Sequence, residues 1–261
     1  MPKFNPSGTH IASGVGGATF SIDNVAVCRG GNAAWLDDRT VLHGRFIGGS
    51  EDDPANWQVW SYDIVTQQSA MVDPRGVDAR SLVAGGGRWQ GWSSRYGCFG
   101  SLGDLPGASV IAAGLDGTLA IKPNYQSGLG FDLYAPGGVV THGGDGSACY
   151  GLRVIGATNA IWIDGLTPDG DIVTHAGRFK QYGPAMTPAL IAVDGEVWLA
   201  YYTRDLGIIA HPAYAPDDPR PLMGYVLGPT EHAYGYDVIA APGAILVTTP
   251  PRRASSRVRP L

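Results

Sequence analysis

The feature that most constrains this chain is a recurring pair of short apolar segments joined by a tight turn of glycine, asparagine or aspartate. Hairpin turns of types I′ and II′ need positive φ angles, which these turn residues adopt at low cost. We therefore predict a β-hairpin at each of six places, and a hairpin that recurs along one chain indicates an all-β repeat architecture. The six hairpins lie at residues 35–42, 82–92, 110–121, 153–163, 190–200 and 237–247.

The segment from Asn32 to Asp73 shows the repeat unit most completely. Four strands are predicted in it, at Asn32–Leu36, Thr40–Phe46, Trp57–Val65 and Ser69–Val72. Four short antiparallel strands in about 42 residues match the length of one β-propeller blade. With W-L-D-D-R-T-V-L followed by W-Q-V-W-S-Y-D-I-V-T-Q, the segment resembles a blade of the TolB/WD40-like β-propeller family. That resemblance implies an architecture and no particular activity.

Outer strands can be assigned to most of the six hairpins. They are predicted at residues 131–142, 171–182 and 207–227, and residues 95–105 must supply them for the second unit. The sixth hairpin has no strands after it, whereas residues 10–15 and 18–23 are strand-like and precede the first hairpin. We predict that residues 10–23 pair with residues 234–248, which would close the ring without a free edge.

The resulting prediction is a single β-propeller of six four-stranded blades over residues 1–251, followed by an arginine-rich tail, residues 252–261. Rings of five or seven blades are the alternatives. The 39 glycines and 19 prolines fit many tight turns, and a hydrophobic content of 44% argues against disorder. No helix with a 3.6-residue apolar period is evident in the sequence.

The net charge and the N-terminal sequence limit the partners and the cellular location that can be expected. Without the four arginines of the tail, the chain has 14 basic against 23 acidic side chains, a net charge of −9, which disfavours nucleic-acid binding. No apolar run reaches the roughly 18 residues of a membrane span. The N-terminal residues lack the apolar core of a signal peptide. We therefore expect a location in a virion or in the cytoplasm and no contact with a membrane.

No residue pattern identifies catalytic or metal chemistry. Four histidines follow strand-like segments in a similar way, and such strand ends in different blades would not converge on one ion. The three cysteines are far apart and lack a C-x-x-C spacing, which indicates small buried side chains. No nucleophile elbow, phosphate loop or H-E-x-x-H motif is present. We predict no cofactor and no metal. The histidines are His43, His142, His175 and His211, and the cysteines are Cys28, Cys98 and Cys149.

The densest aromatic and basic cluster is R-W-Q-G-W-S-S-R-Y, in the second unit. Its members Trp89, Trp92, Arg95 and Tyr96 are candidates for a ligand or partner site, because aromatic faces beside arginine suit sugar stacking or a protein hot spot. The alternative is that a tryptophan of this cluster packs between blades.

The tail is a second candidate for binding. It contains Arg252, Arg253, Arg257 and Arg259 and no carboxylate side chain. Proline and repeated like charges make it unsuitable as a further strand. We predict that it docks on an acidic surface of a neighbouring subunit, where guanidinium groups pair with carboxylates.

These observations favour a non-enzymatic structural or docking propeller in a larger assembly, with protein subunits as its partners. The specific setting we expect is a component of a bacteriophage tail or virion. One alternative is a propeller that binds a glycan or another small ligand, as lectins do. The other is a propeller hydrolase or lyase whose scattered histidine, aspartate and serine residues converge in space.

Overall fold

A computed structural model of the chain has an all-β fold, as the sequence predicts. It describes residues 3–14, 19–78, 81–124 and 130–138 and, from residue 140 on, the backbone of the strands. In these residues, 24 strands form seven antiparallel sheets, and the helical structure is one 3-10 turn at Pro54–Asn56. None of the described residues belongs to a helix long and apolar enough to cross a membrane.

The first sheet consists of residues near the N-terminus alone. Its strands, in spatial order, are β1 (Lys3–Phe4), β2 (Ile11–Gly14), β3 (Phe20–Ile22) and β4 (Val25–Cys28). Asp23 and Asn24, at φ +49° and +66°, form a tight hairpin turn of the I′ type between β3 and β4.

This sheet corrects the predicted pairing of residues 10–23 with residues 234–248. β2 has β1 and β3 as neighbours, and β3 has β2 and β4, so both strands have their hydrogen-bonding edges filled by residues 3–28. The prediction missed the Asp23-Asn24 turn and therefore the strand that follows it.

The second sheet contains β5 (Gly30–Trp35), β6 (Thr40–Phe46), β7 (Trp57–Asp63) and β8 (Gln68–Asp73), in that order. The four strands predicted between Asn32 and Asp73 are thus confirmed. The register pairs Trp35 with Val41, His43 with Trp60, and Tyr62 with Ser69. Side-chain carboxylates close the turns, since Asp63 Oδ1 accepts hydrogen bonds from the backbone N–H groups of residues 65 and 66.

The other five sheets follow in chain order. The third contains β9 (Leu82–Gly85), β10 (Arg88–Ser93) and β11 (Gly97–Gly100), and the fourth contains β12 (Ser109–Ala113), β13 (Leu119–Lys122), β14 (Phe131–Tyr134) and β15 (Val140–Gly144). The fifth contains β16 (Tyr150–Arg153), β17 (Ile161–Leu166), β18 (Ile172–Thr174) and β19 (Gly177–Phe179). The sixth contains β20 (Met186–Val193), β21 (Glu196–Thr203) and β22 (Gly207–Pro212), and the seventh contains β23 (Asp237–Ala241) and β24 (Ala244–Thr248).

All six predicted hairpins are confirmed as antiparallel strand pairs. The strand pair of β1 and β2 in the first sheet was not predicted, because β1 has two residues and no apolar run that marks a strand. The opposed residues are Trp35 and Val41, Val83 and Gln90, Val110 and Ile121, Arg153 and Ile161, Ile191 and Trp198, and Ile239 and Leu246.

Successive sheets pack against each other through their early strands. β5 lies beside β2 and β9, and β12 lies beside β9 and β16. β20 lies beside β16 and β23, and β23 also lies near β1. From the third sheet on, the first strand of each sheet thus lies next to the first strand of the sheet before it, whereas β5 lies mainly beside the second strand of the first sheet.

The apolar core lies between the sheets. Alternate residues of the second sheet face opposite neighbours, as the period of two in a β-strand requires. Trp35 and Val41 join Phe20 in the core between the first and second sheets. Leu42 and Phe99 belong to the core between the second and third sheets. The next layer, between the third and fourth sheets, contains the buried residues Cys98, Ala108, Leu119 and Ile121.

The turns between the first two strands of neighbouring sheets are tied together by hydrogen bonds. The Ser7 N–H donates to Asp38 Oδ1 at 2.6 Å, and the Gly87 N–H donates to the carbonyl oxygen of Leu36 at 3.0 Å. Arg88 Nη1 donates to the carbonyl oxygen of Gly117 at 2.9 Å. These bonds fix the spacing of the first four sheets at that end of the molecule.

Candidate functional site

A buried histidine, His43 of β6, lies between the first two sheets. Its ring is fully buried and stacks on Phe20 of β3, with ring centroids 4.1 Å apart and an interplanar angle of 7°. Nδ1 lies 3.4 Å from the carbonyl oxygen of Gly44, and Nε2 has no hydrogen-bond partner among the described residues. Burial is the main cause that lowers the pKa of His43 to about 4. The ring is therefore neutral at neutral pH.

Cys28, the last residue of β4, is the nearest reactive group, with its Sγ 3.9 Å from His43 Nδ1. Burial raises the pKa of the Cys28 thiol, and the charge of Arg45 opposes that shift. An activated cysteine nucleophile is a thiolate that an adjacent basic or cationic group stabilises. Here burial favours the neutral form of both partners. The pair is therefore not poised for nucleophilic catalysis.

The position of His43 corrects its interpretation as a strand-ending residue. β6 continues to Phe46, so His43 lies inside the strand and on the same side as Val41. The alternation in V-L-H-G-R-F already indicates that His43 and Val41 lie on the same side, because residues 41, 43 and 45 share one face of a strand. In the part of the chain that the structure describes, no three metal-ligating side chains come together. Cys28 and His43 form a pair of donors only.

The predicted aromatic and basic cluster is divided between two faces of the third sheet. Trp89 and Tyr96 both contact Phe99 edge to face, with ring centroids 6.0 Å and 6.5 Å apart, in the core shared with the second sheet. Trp92 packs in the core shared with the fourth sheet. Because Trp89 and Trp92 lie on opposite sides of β10, the structure does not bring the two tryptophans together.

Arg95 is the exposed member of this cluster. Its Nη1 lies 3.3 Å from Asp53 Oδ1, and its guanidinium carbon lies 5.6 Å from the centre of the Tyr96 ring. The ion pair joins a turn of the third sheet to the loop before β7. A ligand or partner role for the four residues stays a prediction. The arginines of the predicted docking tail, Arg252, Arg253, Arg257 and Arg259, lie outside the described residues.

The outer strand of the second sheet has features that the sequence reading did not single out. Residues 68–72 of β8 are all exposed, with Met71 and Val72 exposed to 52% and 40%. None of these five side chains is charged. Asp73, at the end of the strand, is bound by the guanidinium of Arg75 through two hydrogen bonds of 2.9 and 3.0 Å. β8 pairs with β7 on one side, and no other described strand pairs with its second edge.

Comparison with known proteins adds a likeness of fold. No known protein family matches the chain in sequence, and no curated protein does. Similar solved structures include TolB from Acinetobacter baumannii, which is 12% identical, with 82% of this chain and 52% of that chain covered and a TM-score of 0.40. The SapL1 lectin in complex with alpha methyl fucoside is 14% identical, with 83% of this chain and 86% of that chain covered and a TM-score of 0.38.

A third similar structure is the acylaminoacyl peptidase of Pyrococcus horikoshii, 11% identical, with 92% of this chain and 47% of that chain covered and a TM-score of 0.48. The chain thus spans about half the length of the peptidase and of TolB. TolB and the lectin are β-propellers. The blade-level resemblance predicted from the sequence is borne out in this chain by the four-stranded antiparallel second sheet. The resemblance does not extend to activity.

Proposed function

We propose that the chain is a non-enzymatic docking propeller of a larger assembly, in which the free edge of β8 pairs with the same edge of a second copy. The observation that supports this proposal is an outer strand with five exposed, uncharged side chains and an unpaired edge among the described residues. Natural edge strands are usually protected by lysine, proline or inward-pointing charges. β8 has none of these.

We also infer that the seven sheets are blades of one ring, which is the larger of the two alternatives to the six predicted. This inference is supported by the side-by-side packing of first strands and by the nearness of β23 to β1. In such a ring the last strand of each sheet faces outward. β8 would then lie on the outer rim, where a second copy can approach it.

Antiparallel pairing of β8 with its copy gives the backbone of this edge hydrogen-bond partners and places compatible side chains opposite each other. A two-fold axis at Ala70 sets Ser69 against Met71 of the second copy, and Gln68 against Val72. No charged side chain meets its own copy in this arrangement. The irregularity in the β7 pairing falls at Val72, which leaves residues 68–71 in regular register. A partner strand would supply hydrogen bonds to the edge and cover Met71.

The enzymatic alternative is less well supported by the described residues. Their most reactive side chains, Cys28 and His43, are both favoured in the neutral form by burial. A location in a bacteriophage tail or virion stays a prediction from the sequence.

The test is the oligomeric state of the purified chain, measured by sedimentation velocity. We expect reversible dimers. Ala70→Lys places two lysines opposite each other across the two-fold axis, and should weaken the dimer by about tenfold or more, which corresponds to about 1.4 kcal/mol. Val65→Lys adds the same charge in the adjacent exposed turn and should leave the dimer intact.

A charge-reversal experiment identifies the edge itself. Ala70→Lys mixed with Ala70→Glu should restore a mixed dimer, because opposite charges then face each other. A wild-type chain that stays monomeric at the highest soluble concentration would refute self-pairing. A dimer that Ala70→Lys leaves unchanged would refute the role of β8.

A further inference from the structure

One arginine of the described part of the chain differs from the others. Six arginines have described side chains, and five of them bind an oxygen: Arg29 binds Glu51, Arg39 binds Asp63, Arg75 binds Asp73 and Asp104, Arg88 binds two carbonyl oxygens, and Arg95 binds Asp53. Arg45 has no carboxylate or carbonyl partner among the described residues. Its guanidinium carbon lies over the ring of Trp60, 4.4 Å from the ring centre.

The neighbours of Arg45 hold its guanidinium in a defined place. Arg45 on β6 pairs in register with Gln58 on β7, and Trp60 follows two residues later on the same face of that strand. Trp60 Nε1 donates to Gln58 Oε1 at 3.1 Å, which fixes the indole ring. A guanidinium stacked on an aromatic face keeps its N–H edge free for an acceptor in its own plane.

Gln58 adds a second donor at the same place. Its side-chain oxygen is used by Trp60, and its amide N–H groups have no partner among the described residues. Arg45 is half-buried, which strengthens its pairing with an anion relative to a fully exposed arginine. The two side chains together present a fork of N–H donors and a single positive charge.

No anion among the described residues balances that charge. The charge of Arg45 acts on the Cys28 thiol and the His43 imidazole, and both groups are shifted toward their neutral forms. The N–H edge of the Arg45 guanidinium is therefore available to an anion from outside the described part of the chain.

We propose that Arg45, Gln58 and Trp60 form a binding subsite for a carboxylate-bearing small ligand. The carboxylate would accept hydrogen bonds from the guanidinium edge and from the Gln58 amide, while Trp60 holds the guanidinium in place. One guanidinium matches a monoanion, whereas a dianionic phosphate would leave a charge uncompensated. This subsite does not depend on the β8 edge.

The test uses the full chain labelled with nitrogen-15, with the indole N–H signal of Trp60 assigned through Trp60→Phe. Titration with sodium acetate and with sodium glucuronate should each give a saturable shift of that signal. Glucose, the neutral counterpart of glucuronate, should give none. A shift with both carboxylates supports recognition of the carboxylate itself, and a shift with glucuronate alone supports a sugar acid as the ligand.

Two variants and a control define the role of Arg45. Arg45→Gln should weaken carboxylate binding by about tenfold or more, and Arg45→Lys, which keeps the charge but loses the fork, should weaken it several-fold less. Arg39→Gln removes an exposed arginine already paired with Asp63 and should leave binding unchanged. If Arg45→Gln does not fold, the role of Arg45 is decided by comparing the carboxylate affinity of Arg45→Lys with that of Arg39→Gln.

Three results would overturn the proposal. They are the absence of any saturable shift with either carboxylate, tighter binding of inorganic phosphate than of acetate, and carboxylate binding that Arg45→Lys and Arg45→Gln leave unaltered. The last result would place the carboxylate elsewhere on the chain.

Discussion

At the scale of single residues, burial determines the ionisation of His43 and Cys28. The histidine ring is enclosed by Phe20 and by the backbone at Gly30, where an added Cβ would come within 3.4 Å of Nδ1. A charged imidazole there would lose its hydration and gain no carboxylate. The energetic cost of protonation explains why this histidine works as a neutral core residue that stacks on an aromatic ring.

The stability of the chain should therefore depend on pH through His43. The folded-state pKa, about 4, is below the value of 6.5 that an unperturbed histidine has, so the unfolded chain binds more protons between these values. The contribution of neutral His43 is complete above pH 6.5 and is lost as the pH falls toward 4, by about 3 kcal/mol. Denaturant unfolding at a series of pH values measures this loss.

His43→Leu removes the titrating group and keeps an apolar side chain at the position. The difference in unfolding free energy between wild type and this variant should change by about 3 kcal/mol between pH 7 and pH 4, in favour of the variant at low pH. A difference that does not vary with pH would show that the pKa of His43 is the same in the folded and the unfolded chain, and so that burial does not lower it.

At the scale of the elements, glycines allow the adjacent strands of neighbouring sheets to approach closely. A Cβ on Gly14 of β2 would lie 2.9 Å from the Cα of Gly31 in β5. A Cβ on Gly85 of β9 would lie 2.3 Å from the carbonyl oxygen of Gly114, next to β12. Real side chains cannot come that close to backbone atoms, so these glycines set the distance between sheets.

Gly85→Ala should thus destabilise the fold by overpacking, by about 1–3 kcal/mol. Gly44→Ala is the matched control, because its added Cβ meets its nearest atom at 3.4 Å, an ordinary contact, and its φ is not positive. Thermal and denaturant unfolding of the two variants give the comparison. Equal stabilities would mean that the third and fourth sheets can separate at no energetic cost.

At the scale of the whole molecule, the first sheet buries one apolar face of the second sheet. Phe20 and Ala12 complete the core around Trp35 and Val41, and the carbonyl oxygen of Lys3 accepts a hydrogen bond of 2.9 Å from Trp35 Nε1. Deletion of residues 1–28 would expose this apolar face of the second sheet to water. The sheet would then present a large hydrophobic patch.

We expect the chain without residues 1–28 to be insoluble or to aggregate on purification.

Removal of residues 252–261, the predicted docking tail, should leave the melting temperature unchanged and weaken any salt-sensitive association with a neighbour. Solubility and light scattering of both truncations test this contrast. A soluble chain lacking residues 1–28, with the melting temperature of the full chain, would show that the first sheet is dispensable.

The hairpins and the complete second sheet could be predicted from the sequence, because turn chemistry and the two-residue apolar alternation are local properties. The strands of residues 32–73 and the hairpin of residues 237–247 were both predicted. The sequence did not yield the first sheet as a unit, since β1 spans two residues and has no apolar run that marks a strand.

Only the tertiary structure decided which side chains meet across sheets. Trp89 and Trp92 are three residues apart in the sequence, yet β10 directs them into different cores. Arg45 and Trp60 are far apart in the sequence, and the pairing of β6 with β7 places them in contact. Such contacts depend on which sheet packs against which face, and that arrangement follows from burial summed over many residues rather than from any local pattern.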